Sequence, residues 1–288
     1  MKPPVFGYHD PSTLSAAVSL LATLSNARVL AGGQSLVPML NLRVALPDHL
    51  VDINRISELQ GIHVESDELV IGAMTRQRDL EFSPDVANLC PIILEAIAQV
   101  GHRQTRNRGT IGGSLCHLDP AAELPCVAMA CDASVEISSA RGARKVAIGN
   151  FALGSMTTCV EPDEIVTAVR FPLWPAGHGY SFLEFSRRHG DFAMAGCAVL
   201  MTADEDGVIT RCAIALAGVC ESPIRLRDVE HSLVGKRGEA DIFARTGDGL
   251  DGADLLNDIH VPASYRRRLA GVMLRRGLHA AYDRAAGL

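Results

Sequence analysis

Two glycine-rich segments, far apart in the chain, carry the residue types that can hold an anion. The first is Arg28-Val29-Leu30-Ala31-Gly32-Gly33-Gln34-Ser35, continuing into Leu36. Adjacent glycines let successive backbone N–H groups turn toward one point, a concavity that suits a phosphate oxygen. Gln34 and Ser35 add side-chain donors. No Lys-Ser/Thr follows the glycines, so this is not a Walker A loop, and the Gly-x-Gly-x-x-Gly dinucleotide pattern is absent too. Taken alone, the segment also fits an ordinary tight turn between a strand and a helix.

The second segment is Arg108-Gly109-Thr110-Ile111-Gly112-Gly113-Ser114, preceded by Arg103 and Arg106. It repeats the glycine–hydroxyl chemistry and reads as a second anion nest, so that the pair would suit a diphosphate. His117 and Asp119 follow on a connecting turn, and Glu123 is an acceptor for sugar hydroxyls. A solvated positive face accounts equally for the arginines, and a structural histidine for His117.

These segments need elements to position them. Ser12-Thr13 opens an amphipathic helix with Leu14, Val18, Leu21 and Leu24 on one face. Residues 28–31 read as a short buried strand, 36–41 as a helical segment and 49–53 as a second strand, a small α/β unit. Residues 68–73 form a strand, 89–100 a helix with Pro91 in its first turn, and 120–131 another helix. A hairpin turns at Arg141-Gly142, and 164–171 is a strand. The Pro- and Gly-rich stretch 172–179 marks a boundary. Beyond it come three strands, 180–186, 193–203 and 208–219, then helices over 223–234 and 265–285. Residues 236–263 are too polar and aperiodic to assign.

Composition narrows the class. The 288 residues are 48% hydrophobic with a net charge of −6, which gives a soluble globular chain of about two domains without a nucleic-acid surface. No apolar run approaches the ~20 residues of a membrane span, and no secretory leader is visible, so a cytoplasmic protein is expected. The eight cysteines include no Cys-x-x-Cys pair and no zinc or iron–sulfur spacing, and are read as buried free thiols.

The motifs together carry a family resemblance. Ala31-Gly-Gly-Gln-Ser35 with Pro38 and Asn41-Leu-Arg43, then Val51-Asp-Ile-Asn54, Glu58-Leu and Ile71-Gly-Ala-Met-Thr75, resemble the first FAD segment of the FAD-binding (medium) subunits of the xanthine dehydrogenase/carbon monoxide dehydrogenase family of molybdenum hydroxylases. Arg106-Asn-Arg-Gly-Thr-Ile-Gly-Gly-Ser114 and His117-x-Asp-Pro-Ala-Ala-Glu-Leu124 resemble the second FAD segment. Gly190-Asp-Phe-Ala193 and Ala215-Leu-Ala-Gly-Val219 resemble its C-terminal part.

The resemblance implies an α+β fold: a PCMH-type, vanillyl-alcohol-oxidase-like FAD domain over 1–176, with α/β subdomains of about 1–56 and 57–176. A C-terminal α+β domain over 177–288 would carry a three-stranded antiparallel sheet and helices. It implies FAD held at Val29–Leu36 and Thr110–Ser114, with Ala31–Ser35 and Thr110–Ser114 on the diphosphate. His117 and Asp119 would lie toward the isoalloxazine, Glu123 toward ribityl or ribose hydroxyls, and Ile165 by the flavin or adenine. It also implies a small partner subunit with [2Fe–2S] clusters, a large molybdopterin subunit, a dimer of heterotrimers and an external electron acceptor. Many relatives have Asn or Asp at the place of Ser114, and some place Lys near the flavin where this chain reads Phe182-Leu-Glu-Phe185; Arg187 or Arg188 are candidates for its role. Gln34 stands where the carbon monoxide dehydrogenase type has His, which favours an organic-substrate hydroxylase; an N-heteroaromatic compound is the substrate expected. The alternatives are a free-standing oxidase or reductase of the same fold, a carbon monoxide dehydrogenase medium subunit, and a nucleotide-binding module without redox chemistry.

Overall fold

Thr13 starts the first helix by accepting the N–H of Ala16 on its hydroxyl (3.2 Å), the bond that satisfies one free donor of a helix N-terminus. The computed structural model describes residues 1–287, without the side chain of Asp248; the last residue of the expected 177–288 stretch lies outside it.

The N-terminal part runs β1 (Gly7–His9), α1 (Leu14–Thr23), β2 (Ala27–Leu30), α2 (Leu36–Asn41) and β3 (His49–Asp52). Its three strands are parallel in the order β1-β3-β2. The sequence pattern shows β2 and β3 but not β1, whose three residues are too short for any alternation to register. Ala17, Val18 and Leu21 of α1 pack with Val51, Ile53, Ile56, Leu59, Met74 and Ile165 in one core.

The middle part runs β4 (Ile62–Glu65), β5 (Glu68–Gly72), α3 (Gln77–Glu81), α4 (Pro84–Leu89), α5 (Ile92–Gln99), α6 (Arg103–Arg108), α7 (Ile111–His117), α8 (Glu123–Ala130), β6 (Ser134–Ser139), β7 (Gly142–Ala147), α9 (Ile148–Phe151), β8 (Ala152–Gly154), β9 (Thr157–Thr158) and β10 (Ile165–Pro172). Five strands form an antiparallel sheet in the order β4-β5-β10-β6-β7. The helix expected over 89–100 is α5, which starts later at Ile92: Leu89 belongs to α4, Cys90 ends α4 and Pro91 caps α5. Proline disfavours helical geometry in the residue before it. Likewise α8 begins at Glu123 rather than residue 120, because Asp119 accepts the N–H of Ala121 (2.9 Å) and turns the chain first.

The C-terminal part runs β11 (Gly179–Phe185), β12 (Ala195–Ala203), β13 (Ile209–Ala217), β14 (Ile224–Arg225), α10 (Arg227–Leu233), α11 (Ala240–Ala244) and α12 (Ala263–Ala285). The sheet has four strands, β11-β12-β13-β14, where the sequence indicated three. Residues 224–225 were expected to be helical; they pair with β13 instead, and α10 starts at Arg227. Helix α12 lies across β11 and β12. Gly179 is required there: a Cβ on it would sit 1.7 Å from the carbonyl oxygen of Ala281.

The largest core joins the middle and C-terminal parts. Leu69, Ile71, Ile93, Ile97, Val127 and Val135 pack with Phe182, Ala198, Leu200 and Ala213. Arg225 bolts the two together: it pairs with Glu230, with Asp132 at 3.0 Å, and donates to Met129 O at 2.8 Å. Six of the eight cysteines are buried free thiols as expected, whereas Cys116 is exposed and Cys159 half-buried. Among the described residues, no helix is long and apolar enough to cross a membrane, and no group of three or more His, Cys, Asp or Glu is placed to hold a metal.

Candidate functional site

The first glycine segment leaves β2 and enters α2. Val29 and Leu30 end the strand and are half-buried, and Ala31 follows. Gly33 takes a φ of +73°, a conformation side chains resist. Gln34 curls back so that its Nε2 donates to Gly32 O (3.1 Å). Ser35 heads α2 without capping it, and Leu36 is its first residue. Among the described residues, none accepts a hydrogen bond from the N–H groups of Gly32, Gly33, Gln34 or Ser35. Four successive backbone donors are thus left without partners among the described residues.

The second segment differs from expectation. Thr110 to Ser114 is the N-cap and first turn of α7, not an open nest. Four of its backbone donors are used: Ile111 N–H bonds Thr75 O (3.2 Å), Gly112 N–H bonds Ala73 O (2.9 Å), Gly113 N–H bonds Thr110 Oγ1 (3.0 Å) and Ser114 N–H bonds Thr110 O (3.1 Å). Gly112 is there for close packing, since a Cβ on it would lie 2.6 Å from the Ala73 side chain. Among the described residues, the Thr110 N–H and the Ser114 hydroxyl of this segment are left without a partner.

The two segments meet. A Cβ on Gly32 would fall 2.2 Å from Arg108 O and 2.9 Å from Gly109 Cα. A chain of hydrogen bonds fastens the contact. Arg76 donates to Arg108 O (2.6 Å) and to Asn54 Oδ1 (2.5 Å). Asn54 donates to Ala31 O (2.9 Å) and to Asp52 Oδ1 (2.5 Å). Arg76, Asn54 and the side chain of Arg108 were not among the expected site residues. Arg76 follows Ile71-Gly-Ala-Met-Thr75 directly in the sequence, but no local pattern ties it to Arg108.

At the other end of α7, roughly 10 Å away at 1.5 Å per residue, the chemistry turns acidic. His117 is half-buried at the end of the helix, and Leu118 takes a left-handed conformation (φ 48°) that redirects the chain. Asp119 holds the turn, and half-buried Glu123 opens α8. Burial, aided by Asp119, raises the Glu123 carboxyl to about 7. Across from it on β11, burial and then Glu123 push the Glu184 carboxyl to about 8. Glu184 Oε2 is enclosed without a hydrogen-bond partner among the described residues. Each added negative charge here makes the other carboxyl harder to ionise. Gly218 N–H bonds Pro120 O (2.6 Å), which fixes the C-terminal sheet to this turn. Ile165 is 2% exposed and belongs to the N-terminal core.

Polar chemistry stands at both ends of α7: free N–H groups and the Arg76 guanidinium at one, two carboxyls raised by burial at the other. These are the partners an anionic diphosphate and a polyhydroxylated, hydrogen-bonding ring system require, so the residues fit a flavin dinucleotide.

Two family models cover the chain: residues 4–174 match the FAD binding domain in molybdopterin dehydrogenase, and residues 180–281 match the CO dehydrogenase flavoprotein C-terminal domain. The alpha subunit of the 6-hydroxypseudooxynicotine dehydrogenase complex of Paenarthrobacter nicotinovorans is 40% identical over 99% of this chain and 97% of that protein. Among solved structures, carbon monoxide dehydrogenase from Hydrogenophaga pseudoflava superposes with a TM-score of 0.96 at 40% identity, covering 99% of both chains. Quinoline 2-oxidoreductase from Pseudomonas putida 86 superposes at 0.95 and 34% identity, over 99% of this chain and 100% of that one.

Proposed function

The chain belongs to the FAD-binding subunits of the molybdenum hydroxylase family, and from that membership we propose that it is the electron-transfer module of a three-chain hydroxylase. The observation that carries this reading is the seam at Gly32 and Arg108, where four unpartnered N–H groups stand beside the Arg76 guanidinium. FAD, when bound, supplies the redox chemistry, taking up electrons and handing them to an external acceptor.

This chain's residues would do the binding and orienting. Val29 to Leu36 present the backbone donors to the diphosphate, and Thr110 to Ser114 shape the opposite wall. His117 and Asp119 turn the chain toward the ring, and Glu123 takes sugar hydroxyls. Ile165 supports the site from the core behind it. No nucleophile or general base is needed, so none of these residues is assigned an acid–base role in substrate oxidation. The PCMH-type division into subdomains 1–56 and 57–176 and a C-terminal domain from 177 is supported by the three larger sheets and by the spans of the two family models.

The partners in this reading are a small subunit with [2Fe–2S] clusters and a large molybdopterin subunit, assembled as a dimer of heterotrimers. The proposed substrate is an N-heteroaromatic compound, oxidised on the large subunit. Relatives named for a nicotine derivative and for quinoline match this chain over its full length, and Gln34 departs from the carbon monoxide dehydrogenase pattern.

Purification from the native host tests the reading. The expected preparation is yellow, releases FAD on acid treatment and contains iron, molybdenum and two further chains. It should reduce a dye with quinoline- or nicotine-type rings and not with carbon monoxide. A lone chain active by itself would favour a free-standing flavoenzyme.

A further inference from the structure

At the seam the Arg76 guanidinium bonds the backbone carbonyl of Arg108, and neither arginine has a carboxylate within ion-pair distance among the described residues. Of the molecule's other buried or half-buried arginines, 106, 170, 225, 266 and 267 each pair with an acid, and Arg78 stacks on the Phe82 ring instead. Arg76 is half-buried, and two of its five donors go to neutral oxygens, Arg108 O and Asn54 Oδ1. The side chain of Arg108 is exposed and makes no hydrogen bond among the described residues. Asp52, the nearest acid along the hydrogen-bond chain, is already committed to Asn54 (2.5 Å) and to Tyr8 (2.6 Å).

Arg76, partly desolvated and within reach of the Arg108 charge, is offset only by Asp79 and Asp52, and neither carboxylate bonds it directly. Burial and the neighbouring Arg108 hold the Arg76 guanidinium below its usual value. The anion that would relieve this charge must sit at the same seam, which is also where Gly32 to Ser35 offer four free N–H groups. Backbone donors give a phosphate its shape but little net charge; guanidinium groups supply the charge and, through their forked donors, the geometry.

Building on the flavin reading above, we propose that Arg76 and Arg108 form the counter-charge of the diphosphate and thereby set the selectivity of the site for the dinucleotide over flavins without it. Arg76 then has two tasks: it bolts the two glycine segments together and it positions the phosphates. Arg108 contributes charge alone, because only its backbone takes part in the bolt.

That difference makes the test decisive. The full chain, with whatever partner chains accompany it, is stripped of flavin, and binding of FAD and of riboflavin is followed by flavin fluorescence in wild type, Arg76→Gln and Arg108→Gln. Arg108→Gln is expected to weaken FAD about tenfold at low salt, to leave riboflavin unchanged, and to converge on wild type at high salt. Arg76→Gln should lower the FAD-to-riboflavin affinity ratio by about tenfold or more. If Arg76→Gln does not fold, the exposed Arg108→Gln still decides. An unchanged ratio in Arg108→Gln, or equal losses for both flavins, overturns the proposal while leaving FAD binding itself intact. A wild-type chain that takes up no FAD overturns the flavin reading and this proposal with it.

Discussion

The carbonyl oxygen of Arg108 occupies the space that a side chain on Gly32 would need, 2.2 Å from where its first carbon would lie. Two segments that are distant in sequence are thus in backbone contact, with no side chain between them. Gly32→Ala should force them apart. Overpacking a tight contact costs about 1–3 kcal/mol, and the displaced donors should lower FAD affinity at least tenfold. Flavin titration together with urea unfolding checks both; an alanine variant with wild-type affinity would mean that the seam is not where the phosphates bind.

Thr110 caps α7 through its hydroxyl, which accepts Gly113 N–H at 3.0 Å. Thr110→Ala should cost about 1 kcal/mol, and Thr110→Ser most of an order less. Thermal melting of the flavin-free chain should show a fall of about 2–4 °C for alanine.

The buried carboxyls of Glu123 and Glu184 make stability depend on pH. Both titrate above the ordinary 4.5, at about 7 and about 8. The folded chain therefore holds more protons than the unfolded chain between about pH 5 and 8. The associated stability is fully present below 4.5 and is lost as pH rises through 7 and 8. Glu184→Gln should match wild type at pH 5 and exceed it at pH 8.5 by on the order of 1 kcal/mol, since part of the effect is screened by solvent. Denaturation at the two pH values measures it; a pH-independent difference would place the carboxyls in separate surroundings.

Arg225 and Glu230 form a buried pair, and Glu230 also accepts the N–H of Ile214 at 2.7 Å. Arg225→Met leaves the carboxylate buried and uncompensated, which should cost about 3–5 kcal/mol. The double variant Arg225→Met/Glu230→Met should recover most of that loss. Urea unfolding of the two variants separates the outcomes.

Much of the scaffold is legible in the sequence because its cues are local. Thr13 before an apolar stripe gives α1, and Arg141-Gly142 between alternating residues gives the hairpin of β6 and β7. Elements of two to five residues, such as β1, β14 and α11, carry too few positions for a period to appear. Helix α7 misleads for another reason: Gly112 and Gly113 each disfavour a helix by about 1 kcal/mol, so the segment reads as a loop. The Thr110 cap and the fit of Gly112 on Ala73 outweigh that penalty. In the site, the glycine pattern reveals where the chain turns. It cannot reveal Arg76, Asn54 or Glu184, whose places follow only once β3, α6 and β11 have been brought together.

The core shared by the middle and C-terminal sheets bears on how this protein can be divided. Phe182, Ala198, Leu200 and Ala213 complete the apolar surroundings of Ile93, Ile97 and Val127. The boundary between the two family models, at residues 174–180, therefore joins parts that solvent never separates. An engineer wishing to attach a reporter or shorten the polypeptide would do better at the Asp204–Gly207 turn, on the rim. A cut near Pro175 would leave each fragment with a wet, half-built interior, and the turn that presents Glu123 would lose its anchor at Gly218.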